Sequence, residues 1–234
     1  MEYGAVIFDL GNTLVSYYTR EQWPDVLAQA TEEVAAYLRA RGLLRVDPGE
    51  LAGRVEAERG EREDLRVTPL AERLGRIFSL SQADLREGED LELCRRFMKP
   101  IFSLARLHDD SLATLAELRH RGLRTGILSN TPWGSPAELW REELRRHGLL
   151  DAVDGAVFCR DAGWRKPARQ PFELILRKLD VTAARSLFVG DDPRWDIVGP
   201  RGVGMEAILI DRTMSTPPAD VVTIRSLAEL PARL

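Results

Sequence analysis

The sequence has 234 residues, of which 44% are hydrophobic and 30% are charged, a composition typical of a folded globular protein with a sizeable core. Its net charge of -4 at pH 7 argues against a nucleic-acid partner, because such partners favour basic surfaces. No apolar run reaches the roughly 20 residues that a membrane span needs, and the N-terminal segment lacks the features of a signal peptide, so we expect a cytoplasmic protein without a membrane partner.

The first part of the chain predicts one strand followed by a long helical block. An apolar run over residues 5–8 ends at Asp9 and is followed by a turn, which is typical of a buried strand. No strand is predicted between residues 18 and 100, where apolar residues recur at helical spacing. The helices of this block are predicted from residue 23 to Gly42, from Asp47 and Pro48 onward, over residues 69–78 and over residues 81–98.

After residue 100, predicted strands and helices alternate. The strands are predicted over residues 123–129, 153–159, 186–189 and 206–210, and the longer helices over residues 108–121, 136–147 and 171–179. Such alternation predicts a parallel sheet with helices on both faces, to which the first strand also belongs. The predicted fold is therefore a Rossmann-like α/β core, residues 1–15 and 100–234, with an inserted all-helical domain, residues 16–99.

Polar residues follow the predicted strands where each strand ends. They are Asp9 after the first strand, Ser129 and Asn130 after the second, residues 161–166 with Lys166 after the third, and Asp191 and Asp192 after the fourth. Because ligands bind at the carboxyl ends of parallel strands, these residues are expected to form one site. Their types suit a phosphate group and a divalent cation.

Other candidate centres are weaker. Cys94 and Cys159 have no metal-ligand spacing and are interpreted as two buried, unpaired thiols. His108, His120 and His147 lie far apart, in or beside predicted helices, and none is a candidate base.

Four stretches of the sequence resemble the four motifs of the haloacid dehalogenase-like (HAD) superfamily, in the family's order. They are VIFDLGNTLV around Asp9, ILSNT around Ser129, the Lys166-Pro167 pair, and VGDDPRWDI around Asp191. The resemblance covers essentially the whole chain, and the helical insertion stands where the family has its C1-type cap. It implies a Mg²⁺-dependent phosphatase that acts on a small phosphorylated molecule, as a monomer or homodimer.

The resemblance also implies a role for each residue. Asp9 is the expected nucleophile, which forms an aspartyl-phosphate. Ser129 is expected to donate a hydrogen bond to the phosphoryl group, with Asn130 beside it, and Lys166 to neutralise the charge that gathers there. Arg20 lies on the segment that lines the pocket mouth in the family and is a candidate for binding a substrate anion. Taken singly, Asp9 could instead only open a turn and Lys166 could be an exposed loop residue.

The implied Mg²⁺ ligands are the carboxylates of Asp9 and Asp191 and the backbone carbonyl of Gly11, with Asp196 in support. The spacing of the fourth motif favours Asp196 over Asp192 for this supporting role. Arg165 is an alternative to Lys166 as the positive charge of the site.

One position departs from the family's phosphatases, which typically have a second Asp two residues after the nucleophile, where this chain has Gly11. That Asp protonates the leaving oxygen and activates water, and such help is worth roughly 10²–10⁴-fold. Three interpretations remain open. The first, which is our prediction, is a phosphatase that acts on substrates with a good leaving group or uses another proton source. The second is a haloacid dehalogenase, although dehalogenases use no magnesium and lack the Gly-Asp-Asp of residues 190–192. The third is a binding or regulatory protein that has lost turnover.

Overall fold

A six-stranded parallel sheet forms the centre of the computed structural model, which describes residues 3–212 and 220–234. In spatial order, its strands are β5 (Gly155–Phe158), β4 (Arg124–Ser129), β1 (Ala5–Phe8), β6 (Ser186–Gly190), β7 (Glu206–Ile210) and β8 (Thr223–Ile224). Two further strands, β2 (Val15–Ser16) and β3 (Arg106–Leu107), form a short antiparallel pair. The predicted α/β fold with a parallel sheet is confirmed.

Helices pack on both faces of this sheet and form most of the segment between β2 and β3. The longer helices are α1 (Trp23–Ala40), α2 (Pro48–Ala57), α3 (Leu70–Phe78), α4 (Glu89–Ser103), α5 (Ser111–His120), α6 (Ala137–Arg146) and α7 (Arg169–Leu179). Short helical segments occur at Gln82–Asp84, Pro132–Gly134, Leu149–Ala152, Cys159–Ala162, Ala183–Arg185, Pro193–Val198, Gly199–Arg201 and Leu227–Arg233.

The sheet divides the hydrophobic core into two clusters, because successive residues of a strand face opposite sides. In β1, Val6 and Phe8 belong to one cluster and Ala5 and Ile7 to the other. Helix α7 covers the second cluster, whereas α1 and α4 pack against each other and extend the first cluster into the inserted segment. The strands are therefore buried on both faces, which explains their nearly continuous apolar sequences.

The helix predicted over residues 81–98 differs from the structure at both ends. Ser81 caps the short turn Gln82–Asp84, since its backbone N–H and hydroxyl both donate to Asp84 Oδ2 at 2.8 and 2.7 Å, so α4 begins only after Gly88. It then continues through Pro100 to Ser103 and crosses residue 99, where the predicted insertion ends. The division into residues 1–15 with 100–234 and residues 16–99 stays a prediction.

The two cysteines are buried and free, which confirms their interpretation as unpaired thiols. None of the helices within residues 3–212 and 220–234 combines the length and the apolar character of a membrane-spanning segment.

Candidate active site

The predicted site residues meet at one edge of the sheet, around a cavity of about 270 Å³. Strand β1 lies between β4 and β6 and runs parallel to both, so the residues that follow these three strands emerge side by side. The cavity is lined by all the predicted site residues, namely Asp9, Gly11, Arg20, Ser129, Asn130, Lys166, Asp191 and Asp196.

Lys166 lies at the floor of this cavity between two carboxylates. Its ammonium group donates to Asp9 Oδ1 and to Asp196 Oδ1, both at 2.6 Å, and the residue is only 2% exposed. Burial alone would lower the pKa of Lys166, but the charges of Asp196 and Asp9 outweigh it and raise the pKa above its ordinary value. Lys166 is therefore a fixed positive charge beside Asp9.

The floor of the cavity has more negative than positive charge. Asp9, Asp191 and Asp196 each offer an oxygen atom, and these atoms lie within 4.8 Å of one another. Burial raises the pKa of Asp191, and the nearby charges of Asp9 and Asp196 raise it further. Burial likewise raises the pKa of Asp196, although Lys166 opposes the shift. Three crowded carboxylates with one ammonium group form a set of hard oxygen donors that suits a divalent cation.

Asp192 and Asp196 have different structural roles. Asp192 begins the turn Pro193–Val198, where its Oδ1 accepts from the backbone N–H groups of Arg194 and Trp195 at 2.8 and 3.2 Å. Asp196 is buried and points back toward β6, where a Cβ atom on Gly190 would overlap its carboxyl group. This arrangement agrees with the preference of the sequence motif for Asp196 as the supporting carboxylate.

The loop after Asp9 contributes a contact that the sequence did not predict. Asn12 has a φ of 55°, a left-handed conformation that Asn tolerates better than most residues. From there its Nδ2 donates to Asp191 Oδ2 at 3.2 Å. Its neighbour Gly11 is under no steric constraint, because an added Cβ atom would meet nothing within 4 Å.

Asn130 fixes the position of Lys166. The backbone N–H of Lys166 donates to Asn130 Oδ1 at 2.8 Å, and Asn130 Nδ2 donates to the Lys166 carbonyl at 3.2 Å. Ser129, one residue earlier, is buried and its hydroxyl donates to the Asn130 carbonyl at 3.3 Å. The observed contacts of the Asn130 side chain are thus structural, and its predicted role in substrate binding stays a prediction.

The alternative that Arg165 replaces Lys166 does not fit the structure. The Arg165 guanidinium pairs with Glu61 at 3.1 Å and lies over the ring of Trp195, 5.6 Å from its centroid. It is Lys166 that contacts Asp9.

Aromatic rings form much of the cavity wall: two tyrosines come from the segment that lines the pocket mouth in the family, and two tryptophans, for which packing was the expected role, come from beside the strand ends. They are Tyr17, Tyr18, Trp140 and Trp195. Burial raises the pKa of Tyr17 well above its usual value and that of Tyr18 to about 12. Among the described residues, no histidine lines the cavity.

A model of the haloacid dehalogenase-like hydrolase family matches residues 3–204. The chain belongs to this family. The predicted resemblance is therefore confirmed, and with it the assignment of the chain to the hydrolases.

Family members similar to the chain include two named phosphatases. The ribulose-1,5-bisphosphate 5-phosphatase of Halopiger xanaduensis is 31% identical over 213 residues, which are 88% of this chain and 84% of that protein. The phosphoglycolate phosphatase of Rhodospirillum rubrum is 29% identical over 96% of this chain and 85% of its own length.

Solved structures agree with the fold over the full chain. A HAD phosphatase from Thermococcus onnurineus superposes with a TM-score of 0.64 at 26% identity and covers 100% of this chain and 97% of its own. A 2-haloacid dehalogenase from Pseudomonas syringae superposes with a TM-score of 0.67 at 23% identity over 99% and 97% of the two chains, so phosphatases and dehalogenases share this fold.

Proposed function

We propose that the protein is a Mg²⁺-dependent phosphatase that hydrolyses a small phosphomonoester through an aspartyl-phosphate on Asp9. The observation that carries this proposal is the contact of the buried Lys166 with both Asp9 and Asp196 in a cavity rich in carboxylates. Two relatives that align with most of the chain are named phosphatases, which supports the same reaction class.

The donor set fits Mg²⁺, because hard cations prefer carboxylate and carbonyl oxygens. Asp9, Asp191 and Asp196, with the carbonyl of Gly11, are the residues that would hold it. When bound, Mg²⁺ supplies positive charge that lets a phosphate group approach these carboxylates.

In the first step, a carboxylate oxygen of Asp9 attacks phosphorus and the ester P–O bond breaks. Lys166 holds the Asp9 carboxylate in position through its hydrogen bond, and it balances negative charge on the phosphoryl group. The Ser129 hydroxyl turns from the Asn130 carbonyl to donate to a phosphoryl oxygen. In the second step, water attacks phosphorus and the P–O bond to Asp9 breaks, which releases phosphate and restores the Asp9 carboxylate. The attacking water gives one proton to solvent, which replaces the proton that the leaving oxygen took from water in the first step.

Once Asp191 and Asp196 hold Mg²⁺ and Lys166 is paired with Asp9, no described residue of the cavity is an evident source of the proton for the leaving oxygen. Gly11 has no side chain, no histidine lines the cavity, and the two tyrosines have raised pKa values. We infer that the leaving oxygen takes its proton from water, so substrates with a stable leaving anion react fastest.

The proposed cap, residues 16–99, supplies the mouth of the site. Its first residues include Tyr17, Tyr18 and Arg20, which line the cavity together with residues of the core. Closure of the cap over a bound substrate excludes bulk water, apart from the molecules that react, and selects the substrate by shape.

The test is hydrolysis of an aryl phosphate such as p-nitrophenyl phosphate with and without Mg²⁺. We expect phosphate release only with Mg²⁺ and its loss in Asp9→Asn, which keeps the shape of the side chain and removes the nucleophilic oxygen. Asp25→Asn, on the exposed side of α1, is the matched control and should behave as the wild type. Turnover that persists in Asp9→Asn would refute the role of Asp9.

The same assay separates the two other interpretations. A haloacid dehalogenase would release halide from a 2-haloacid without metal, and a binding protein would turn over neither substrate. The excess of buried carboxylates favours the phosphatase, because the reaction of a dehalogenase needs no cation at this position.

A further inference from the structure

Two cationic side chains line the cavity within the part of the chain that the structure describes, and only one of them forms ion pairs. Lys166 is held by Asp9 and Asp196. Arg20 is exposed, lines the cavity, and has no hydrogen bond or ion pair with any described residue. A guanidinium at the mouth of a substrate cavity is thus free to bind an anion.

The loop that carries Arg20 is ordered by its own contacts. Thr19 and Gln22 bond reciprocally on either side of Arg20: the Thr19 N–H donates to Gln22 Oε1 at 2.9 Å, and the Gln22 N–H donates to Thr19 Oγ1 at 3.3 Å. The ring of Tyr18 stacks on Trp23 at a centroid distance of 4.8 Å. The backbone of Arg20 is therefore fixed in a closed turn, so ligand binding by its side chain does not also have to order the loop backbone.

Aromatic rings line the same cavity as Arg20. Tyr17, Tyr18 and Trp140 line the cavity, and among the described residues Lys166 and Arg20 are its only basic lining residues. A second negative charge on a substrate would therefore find Arg20 as its free partner, because Lys166 is already shared by two carboxylates. Low-polarity walls strengthen such a pairing, since they screen it less than water does.

We infer that the substrate carries a second anionic group, a carboxylate or a second phosphate, which Arg20 binds while the reacting phosphoryl group lies at Asp9. This inference rests on the proposed phosphatase function and narrows it to small phosphomonoesters with two anionic ends. The size of the cavity, about 270 Å³, agrees with a substrate of few carbon atoms.

The experiment compares three phosphate esters of equal spacer length. They are 2-phosphoglycolate, which ends in a carboxylate; ethylene glycol bisphosphate, which ends in a second phosphate; and 2-hydroxyethyl phosphate, which ends in a neutral hydroxyl. The measured quantity is kcat/KM for each ester with Mg²⁺, in the wild type, Arg20→Gln and Arg20→Lys, with p-nitrophenyl phosphate as a reference. Arg39→Gln, which changes an exposed residue of α1 paired with Glu32, is the matched control.

We expect the wild type to prefer at least one anionic ester over the neutral ester by about 10- to 100-fold in kcat/KM, the range that charge-assisted hydrogen bonds supply. Arg20→Gln should remove most of this preference, Arg20→Lys should restore part of it, and Arg39→Gln should leave it unchanged. The ester that loses most in Arg20→Gln identifies whether the second group is a carboxylate or a phosphate.

Two outcomes contradict the inference, and they differ in what else they refute. In the first outcome, p-nitrophenyl phosphate is hydrolysed but Arg20→Gln lowers kcat/KM equally for anionic and neutral esters, or not at all. Arg20 then does not bind a second anionic group of the substrate, and the phosphatase function stands. If the wild type hydrolyses none of the four esters, the proposed function fails and the inference fails with it.

Discussion

Lys166 is almost completely enclosed by protein, and its ammonium group lies 2.6 Å from both Asp9 and Asp196. Removing one partner of a buried ion pair leaves the other charge without compensation, which typically costs about 3–5 kcal/mol. We expect Lys166→Met, which keeps the length of the side chain, to lower the free energy of unfolding by that amount in urea denaturation with EDTA present.

The control for this change is Lys178→Met, because Lys178 is exposed on α7. Its free energy of unfolding should stay within about 0.5 kcal/mol of the wild type. If Lys166→Met were as stable as the wild type, the two carboxylates would not depend on Lys166 for their charge balance.

Gly11 can accept a larger residue, because nothing lies within 4 Å of the position that its Cβ would occupy. We expect Gly11→Asp to supply the missing proton donor and to raise kcat for an alkyl phosphate by about 10²-fold, near the lower end of general acid catalysis. The gain should be much smaller for p-nitrophenyl phosphate, whose leaving group needs no proton.

Gly11→Asn is the control for this prediction, since it has the same shape without the acidic proton. An equal gain in the Asn variant would mean that the side chain acts by filling space rather than by proton transfer. The measurement is kcat for both substrates over a range of pH values.

The sequence predicted the polar and charged residues of the site better than the contacts between them. Asp9, Ser129 and Asp191 could be found because parallel strands bring their carboxyl ends together. The bonds from Asn12 to Asp191 and from Asn130 to Lys166 could not, because they depend on side-chain directions that only the folded loops define.

The segment between α2 and α3 connects the inserted helices to the loop that holds Lys166. The N–H of Val67 donates to the Gly163 carbonyl at 3.0 Å, and the N–H of Arg165 donates to the Leu65 carbonyl at 2.8 Å. Glu61 adds ion pairs to Arg165 at 3.1 Å and to the buried Arg73 at 3.2 Å. A shift of this segment would therefore be transmitted to the residue next to Lys166.

We expect Glu61→Gln to loosen this connection, because it removes the charge that Arg73 and Arg165 share. Glu61 is partly exposed and Arg73 keeps its bonds to backbone carbonyls, so the loss in free energy of unfolding should be only about 1 kcal/mol. The KM for p-nitrophenyl phosphate should rise, and steady-state kinetics measure it.

The matched control is Glu56→Gln on α2, whose partner Arg59 is exposed. If both variants raise KM equally, the ion pair of Glu61 with Arg165 does not affect substrate binding more than an exposed ion pair does.

The strands and helices that could be predicted are those whose own sequences carry a hydrophobic pattern. The five longer strands have apolar runs. In contrast, β2, β3 and β8 have two residues each and form only because neighbouring strands pair with them. Helix α4 was misjudged because Pro100 predicts an end, while the tertiary packing of Phe97 and Ile101 carries the helix past it.

At the scale of the whole molecule, the proposed metal site joins residues that are distant in sequence. Asp9 and Asp191 meet only when the sheet has formed, so Mg²⁺ should bind the folded state and stabilise it. At a concentration 100 times its Kd, the gain is about 2.7 kcal/mol. For a chain of this size we expect Tm to rise by about 5–10 °C.

This prediction is checked by thermal unfolding with MgCl₂ against NaCl of equal ionic strength. Asp191→Asn should abolish most of the rise, and Asp192→Asn, which keeps the cap of the turn Pro193–Val198, should retain more of it. A Tm that does not respond to Mg²⁺ in the wild type would contradict the site.

The central place of β1 in the sheet has a consequence for protein synthesis. The ribosome makes β1 before the other strands, yet Ala5 pairs with Arg124 on one side and Ser186 on the other. A strand with such distant partners stays unpaired while the chain grows, and non-local pairing is slow. Asp9 is therefore synthesised early, but the strands that surround it, β4 and β6, are synthesised much later. Until β6 emerges from the ribosome, the nascent chain exposes the apolar strand β1, which chaperones would need to protect.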